Sequence, residues 1–347
     1  MSVKAVGLVS GGLDSLLAVA LVLRQGIEVH AINFRTGFSG RIGSDESEDG
    51  NLPEVFKGEF FKQFRGKLFF EQVHVEDGYL NVLSNPKYGF GKNVNPCIDC
   101  RIYSFNNAKA YMEKIGADFI FTGEVIAQRP MTQHRNTMSQ IVNQSDMKGL
   151  VLRPLCAQLL PPTAAEERGL IDRTLLMNFS GRGRKRQMAL AKELGLENYP
   201  QPAGGCCYLT DPGYARRFRD LVRYRDQGKL ATRDFQLLKL GRHLRMADDF
   251  KVIVGRNEEE NRLLEELFGD HPSLELIDVP GPLVLIDGKL TEERIELAAR
   301  IAARYSKCRE GKVQVEYREN SAVDTSVAQV LEVEPLTSAE TDQFVIK

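Results

Sequence analysis

Six residues near the amino terminus, Ser10-Gly11-Gly12-Leu13-Asp14-Ser15, combine two glycines, two hydroxyls and a carboxylate. Such a set suits an anion: glycine lets a phosphate approach the backbone with no Cβ in the way, and the hydroxyls add donors. Asp14 is suited to positioning a metal ion or capping a helix. No Lys-Ser or Lys-Thr pair follows, which excludes the mononucleotide P-loop. A second chemical group is the stretch Asn95-Pro96-Cys97-Ile98-Asp99-Cys100-Arg101, followed much later by Gly204-Gly205-Cys206-Cys207. Two thiols at a helix start have lowered pKa values, which favours metal ligation or nucleophilic attack. A structural zinc half-site is the other common use of the spacing. Cys206 brings the sulfur ligands to three, and three cysteines around a four-iron, four-sulfur cluster leave one iron open to an exogenous ligand. Cys207 is an alternative third ligand or a thiol beside the site. Cys156 and Cys308 read as small buried hydrophobes.

These groups need a scaffold, and the chain alternates strand and helix signals around them. Strands are expected at residues 3–9, 28–34, 68–75, 119–122 and 151–155, with helices at 13–24, 54–62 and 102–115. The alternation predicts an α/β fold, a doubly wound parallel sheet that binds its ligand at the carboxyl ends of the strands. Residues 36–53 read as a long loop, either a solvated connection or a closure over the nucleotide. A different pattern starts near Leu237: a hairpin (240–246, 250–254), a helix (257–268), strands (274–279, 283–286), a helix (291–305) and strands (313–317, 328–333). This predicts a smaller α+β domain over 234–347, joined to a first domain over 1–233 by a bridge from about 208. The last residues are expected to be poorly ordered.

The chain has 347 residues, 42% hydrophobic and 27% charged, as a globular protein does. No apolar run reaches the ~18 residues of a membrane span, and nothing near the start reads as a signal peptide. The expectation is therefore a cytoplasmic protein with no membrane partner, whose six cysteines serve metal or redox chemistry rather than disulfides. A net charge of −1 leaves nucleic-acid binding to local patches. Arg182, Arg184, Lys185 and Arg186 form one, expected to touch RNA phosphates; Arg216, Arg219 and Arg223, on one helical face, form a second.

The Ser10–Ser15 loop resembles the PP-loop of the ATP pyrophosphatases, which bind the β,γ-pyrophosphate and transfer AMP to a carbonyl oxygen. Thr122-Gly123-Glu124, Gln128, Gln133 and Leu152-Arg153-Pro154-Leu155 extend the likeness to the tRNA 4-thiouridine synthetases. Asn95-Pro96-Cys97 is similar to a stretch of the tRNA 2-thiouridylases, and the C-x-x-C with a distant cysteine resembles the cluster-dependent tRNA thiolases. The similarity covers residues 1–230. The later segment from Gly241-Arg242-His243 to Asn261 resembles the RNA-binding domain of NFACT proteins. Two features depart from the 4-thiouridine synthetases: their ferredoxin-like and THUMP regions precede a PP-loop that here begins at residue 10, and no rhodanese with a persulfide cysteine is evident.

The resemblance implies an ATP-dependent tRNA sulfurtransferase. Ser10, Gly11, Gly12, Asp14 and Ser15 would hold ATP with Mg²⁺, Phe34 would border adenine or simply pack in the core, and Gly123 would let the nucleotide approach. Cys97, Cys100 and Cys206 would hold a [4Fe-4S] cluster, or the cysteines would relay a persulfide. Partners would be tRNA and a sulfur donor, either free sulfide or a persulfide carrier. His134 is a substrate-contact or a helix-surface residue. The competing readings are an adenylating ligase or amidotransferase, a small-molecule sulfurtransferase, and a non-catalytic RNA-binding protein with a relic nucleotide site.

Overall fold

Val6 and Leu8 face one side of a sheet and Ala5 the other, all buried, as befits strands covered on both faces. They belong to β1 (Lys4–Leu8), the central strand of a five-stranded parallel sheet ordered β3-β2-β1-β4-β5. Its partners are β2 (Glu28–Arg35), β3 (Leu68–His74), β4 (Phe119–Thr122) and β5 (Val151–Leu152). A computed structural model describes residues 2–38, 52–196, 199, 207–226, 230–308, 310–320 and 328–347. The chain divides into two compact units, residues 1–207 and 208–347.

In the first unit, α1 (Leu13–Leu23) is apolar all round and buried almost throughout. It lies in a core with Ala5, Val29, Phe119 and Phe121 from one sheet face and Phe56, Phe60 and Phe61. On the other face Val6, Ile32 and Ile120 pack with Phe105, Ala108 and Met112 of α4 (Cys97–Ile115) and Ile141 of α5 (Arg135–Gln144). The remaining helices are α2 (Glu59–Lys62), α3 (Glu76–Ser84), α6 (Ala164–Glu167) and α7 (Lys185–Leu194). The chain leaves β1 toward β2 on one side while β4 pairs on the other, so the strand order reverses between β1 and β4. That crevice, outside the carboxyl ends, is where doubly wound sheets bind ligands.

Several expected elements shift. The helix expected at 54–62 is a 3₁₀ turn (Glu54–Phe56) and a separate short helix, because Gly58 intervenes with extended backbone. The helix expected from Ile102 begins at Cys97, so the cysteine pair is inside its first turn rather than ahead of it. The strand at 151–155 ends at Leu152, where Arg153 turns inward and Pro154 has no N–H to continue a ladder. Most of the loop at 36–53 lies outside the described residues.

The second unit opens with α8 (Pro212–Tyr224) and α9 (Thr232–Leu237). A six-stranded antiparallel sheet follows, ordered β11-β10-β8-β9-β7-β6. Its strands are β6 (Arg242–Ala247), β7 (Phe250–Val254), β8 (Ser273–Leu276), β9 (Val284–Gly288), β10 (Val313–Arg318) and β11 (Gln329–Val333). Between them lie α10 (Glu258–Phe268), α11 (Glu292–Arg304) and the terminal α12 (Ser338–Asp342). Ala298, Ala299, Ala302 and Ala303 of α11 are small enough to lie close against the sheet. The expected bridge from about 208 lies in this unit: Tyr214 Oη donates to Phe235 O at 2.9 Å and Arg217 Nε to Leu238 O at 2.7 Å, binding α8 into it. The carboxyl-terminal residues are tied down, contrary to expectation. Arg245 N donates to Phe344 O at 2.8 Å and Ile346 N to His243 O at 3.0 Å, covering the β6 edge.

Candidate active site

The Ser10–Ser15 loop turns from β1 into α1 through Gly11, whose φ of +73° is the left-handed conformation glycine adopts without steric cost. Nothing lies within 4 Å of the position a Gly11 Cβ would take, so the loop opens onto space. Ser15 braces it, donating to Gly12 O at 2.7 Å and accepting from Ser10 N at 3.3 Å. At the start of α1 the backbone N–H groups of Leu13 and Asp14 precede the first intrahelical donors, as an anion site requires. Asp14 accepts from Gln128 Nε2 at 3.0 Å through Oδ2, while its Oδ1 is buried with no hydrogen-bond partner. Arg184 approaches the same carboxylate at 4.0 Å, and its Nε is likewise buried and unpartnered. Unmet acceptor and donor atoms facing an open phosphate loop fit ATP with a divalent cation.

Gly123 has a steric task that the sequence did not show. A Cβ there would lie 2.6 Å from the backbone of Asp14 and Ser15, so this glycine admits the phosphate loop itself. Glu124, the next residue, is buried and accepts from Arg101 Nε at 2.7 Å and Arg153 Nε at 3.0 Å. Burial raises its pKa, but the two guanidinium groups outweigh burial and hold it at about 2. Arg101 directly follows Cys100. The Gly123-Glu124 dipeptide therefore touches the phosphate loop on one side and the cysteine helix on the other. Beyond it Ala127 adopts φ +61°, a conformation costing a residue with a Cβ about 1–2 kcal/mol, and this turn delivers Gln128 to Asp14.

Cys97 and Cys100 occupy the first turn of α4, both partly exposed. Asn95 Nδ2 donates to Cys97 Sγ at 3.0 Å. Tyr79 was missed by sequence reasoning: its hydroxyl is buried, hydrogen-bonded to the Cys100 side chain, and also within the field of Cys207 and Cys97. Burial first, and then these sulfurs, raise its pKa. An aromatic at that helical position carries no signal separating it from ordinary core packing. Cys97 and Cys100, one turn apart on α4, supply two of the soft thiol donors that a thiolate-bound metal uses. Cys206, with Gly204 and Gly205, lies outside the described residues. Among the described residues no group of three His, Cys, Asp or Glu side chains is gathered as a metal shell.

Phe34 lies one residue before the end of β2, partly buried against the core beneath α4. The basic cluster at 182–186 splits. Arg184 turns to Asp14; Arg186 bonds Asn178 and stacks on Phe179 at 4.4 Å; Arg182 and Lys185 stay exposed. Arg216, Arg219 and Arg223 form the exposed face of α8, opposite buried Tyr214, Phe218 and Leu221. His134 is an exposed residue at the N-cap of α5. Cys156 is buried, as expected, its Sγ donating to Glu124 O at 3.3 Å and its pKa pushed by burial to about 11. Cys308 is only half-buried, correcting the expectation, because it follows the end of α11 and its Sγ turns out to Glu310 O at 3.1 Å. Among the described residues no helix is long and apolar enough to cross a membrane.

Residues 1–158 match the family model described as thiamine biosynthesis protein (ThiI), and residues 241–345 match that of the NFACT protein RNA binding domain. The chain is 29% identical over 118 residues to the tRNA-specific 2-thiouridylase MnmA of Syntrophotalea carbinolica, covering 33% of this chain and 32% of that one. It is 32% identical over 117 residues to the MnmA of Desulfosudis oleivorans, covering 33% and 30%. The chain thus spans about a third of the length of these curated relatives. A crystal structure of a 4-thiouridine synthetase–RNA complex with bound ATP aligns at 23% identity and a TM-score of 0.39, covering 56% of this chain and 41% of that one.

Proposed function

We propose that this protein is an ATP-dependent tRNA sulfurtransferase that converts a uridine carbonyl to a thiocarbonyl, with 4-thiouridine as the product. The Gly123-Glu124 dipeptide carries this reading, because it holds a phosphate loop and a cysteine pair against the end of one strand. A carbonyl oxygen is a poor leaving group, so thiolation needs activation and sulfur delivery at one place. The uracil oxygen attacks the α-phosphate of ATP, forming the O–P bond as pyrophosphate departs. A sulfur nucleophile then adds to the carbon, and AMP leaves with the oxygen. Ser10, Gly11, Gly12, Asp14 and Ser15 would hold the pyrophosphate, Asp14 would position a Mg²⁺ ion that balances its charge, and Gln128 keeps the Asp14 carboxylate oriented.

Cys97 and Cys100, with Cys206 or Cys207, would hold a [4Fe-4S] cluster, which supplies an open iron position for incoming sulfide. The Asn95 hydrogen bond to Cys97 Sγ also supports a second reading, a persulfide borne on Cys97 and resolved by a neighbouring cysteine. The preference for the C4 oxygen rests on the motifs shared with the 4-thiouridine synthetases. The deciding assay incubates unmodified tRNA with protein, ATP and sulfide, then separates the digested nucleosides by mass spectrometry. ATP-dependent 4-thiouridine is expected. Formation of 2-thiouridine would move the site of attack, and no thiolated nucleoside with either sulfide or a persulfide donor would remove the proposal.

A further inference from the structure

Helix α7 begins beside α1. Asp14, in the first turn of α1, stands 4.0 Å from Arg184, the N-cap of α7. At the far ends, Leu21, Arg24 and Gln25 line one groove with Ala189, Leu190 and Glu193. The two helices therefore run parallel, and their amino-terminal ends lie side by side at the phosphate loop. Open glycines precede α7 as they precede α1: Gly181 and Gly183 have nothing within 4 Å of where a Cβ would lie. Gly181 N donates to Ile126 O at 2.8 Å, which ties this second loop to the segment carrying Gln128.

The charge at the start of α7 runs against its dipole. A helix carries partial positive charge at its amino terminus, which acidic side chains favour and cations oppose. Here the first turn holds Lys185 and Arg186, no acid, and no side-chain cap. Met188 N makes the first bond of the helix, to Arg184 O at 2.9 Å, so the N–H groups of Lys185, Arg186 and Gln187 lie ahead of it. Gln187, 1% exposed, keeps its Nε2 buried with no hydrogen-bond partner. Long side chains on a helix lean back toward its amino terminus, which directs this amide to the same opening. Arg184 Nε is orphaned there too. Such donors cost stability until an acceptor meets them.

We propose that the amino-terminal end of α7, with Arg184 and Gln187, is a second phosphate subsite. It receives the γ-phosphate of ATP while the Ser10–Ser15 loop holds the β-phosphate. This rests on the ATP-dependent reading above and adds a subsite to it. Packed helix axes lie about 8–10 Å apart, a gap that two linked phosphates span with a hydrogen bond at each end. Two parallel dipoles then hold the pyrophosphate from both sides, before and after its bond to the α-phosphate breaks. ADP, which lacks the γ-phosphate, would fill the first loop alone.

Calorimetry on the full chain with Mg²⁺ tests the subsite. Wild type should bind ATP more tightly than ADP, and should bind inorganic pyrophosphate with no nucleoside attached. Q187L removes the amide donor and should weaken ATP and pyrophosphate by about ten- to a hundredfold, the loss of one hydrogen bond to a charged group. Its affinity for ADP and AMP should stay at the wild-type value. Because the amide has no partner in the fold, ligand-free Q187L should unfold at the same urea concentration as wild type or a higher one. A lower urea midpoint would assign Gln187 to the fold and overturn the subsite. A preference for ATP over ADP that survives in Q187L would overturn it alone, and weaker tRNA binding in that variant would give the opening to an RNA phosphate instead. Failure of the wild-type protein to bind either ATP or pyrophosphate would remove both this inference and the reading beneath it.

Discussion

The guanidinium of Arg184 stands 4.0 Å from the Asp14 carboxylate, and each side chain keeps one buried polar atom with no partner. A buried orphan costs ~1–3 kcal/mol, so a pair of them facing a phosphate loop is arranged for a ligand that satisfies both. This arrangement leads to the expectation that Arg184 serves the nucleotide. R184A should slow pyrophosphate release by about ten- to a hundredfold, the loss of one charge-assisted hydrogen bond, without changing the salt dependence of tRNA binding. R182A and K185A should each reduce that salt slope by ~0.9 and leave pyrophosphate release intact. An R184A enzyme with normal pyrophosphate release but a flattened slope would return Arg184 to the RNA surface.

Substituting Gly123 should be as damaging as substituting Asp14, for a steric reason. G123A places a carbon 2.6 Å from the Asp14–Ser15 backbone, and backbone at that distance has to move. ATP binding measured by calorimetry is expected to fall below detection, while far-UV circular dichroism stays close to wild type. D14A should retain the fold and lose pyrophosphate release. Unchanged ATP affinity in G123A would mean that the loop geometry does not govern the nucleotide site.

The cysteines divide into two classes that iron analysis can separate. Protein isolated without oxygen should be brown, with about four irons per chain. C97A and C100A should be colourless, C206A should lose iron if that residue is the third ligand, and C156A and C308A should match wild type. A colourless wild-type protein with one tightly held zinc would point to a structural metal. Metal-free protein that thiolates tRNA from a persulfide donor would favour the cysteine relay.

Glu124 links stability to acid. Its folded pKa, about 2, lies below the ordinary 4.5, so its contribution is fully present above 4.5 and is lost as pH falls from 4.5 toward 2. E124Q leaves Arg101 and Arg153 without a counter-charge and should destabilise the first unit by about 3 kcal/mol at neutral pH. Urea denaturation followed at pH 7 and pH 3 should show the difference between variant and wild type shrinking in acid. A constant difference would assign the cost to packing.

His243 sets a second, higher window. It is buried, and burial first, then Lys251 and Arg217, hold its pKa well below 6.5, so the fold keeps it neutral. The unfolded chain takes up this proton below pH 6.5 and the folded chain does not. Stability should therefore fall by up to ~1.4 kcal/mol per pH unit below that point. H243F should flatten the dependence between pH 6.5 and 5 even if it lowers stability overall.

Much of the first unit was legible because its signals are local. Glycines between an apolar strand and an apolar helix announced the phosphate loop, and strand β4 ends where expected, at Thr122. Gly123 was noticed for its lack of a side chain, but its contact with the Asp14–Ser15 backbone was not foreseen, because a close approach between segments more than a hundred residues apart leaves no local trace. Arg184, Arg186 and Lys185 read as one basic patch; only packing separates a side chain turned to Asp14 from one stacked on Phe179. Gln128 entered through a family resemblance, and its bond to Asp14 needs the left-handed turn at Ala127, which no residue preference advertises. Tyr79, spaced like any core aromatic on an amphipathic helix, was not legible at all.

The central position of β1 carries a consequence for how the molecule comes into being. Its two neighbours are β2, a short way along the chain, and β4, which starts at Phe119. Residues emerge from the ribosome in chain order, so β1 must wait for one of its two partners to be translated much later. The loop at residues 10–15 cannot be clamped until Gly123 and Gln128 are synthesised, nor completed until Arg184 follows. A nascent chain halted between Cys100 and Phe119 holds both thiols but not the strand that buries the far edge of β1. Pairings of such large sequence separation fold slowly, which makes this interval the one in which oxidation or chaperone capture competes with acquisition of the native state.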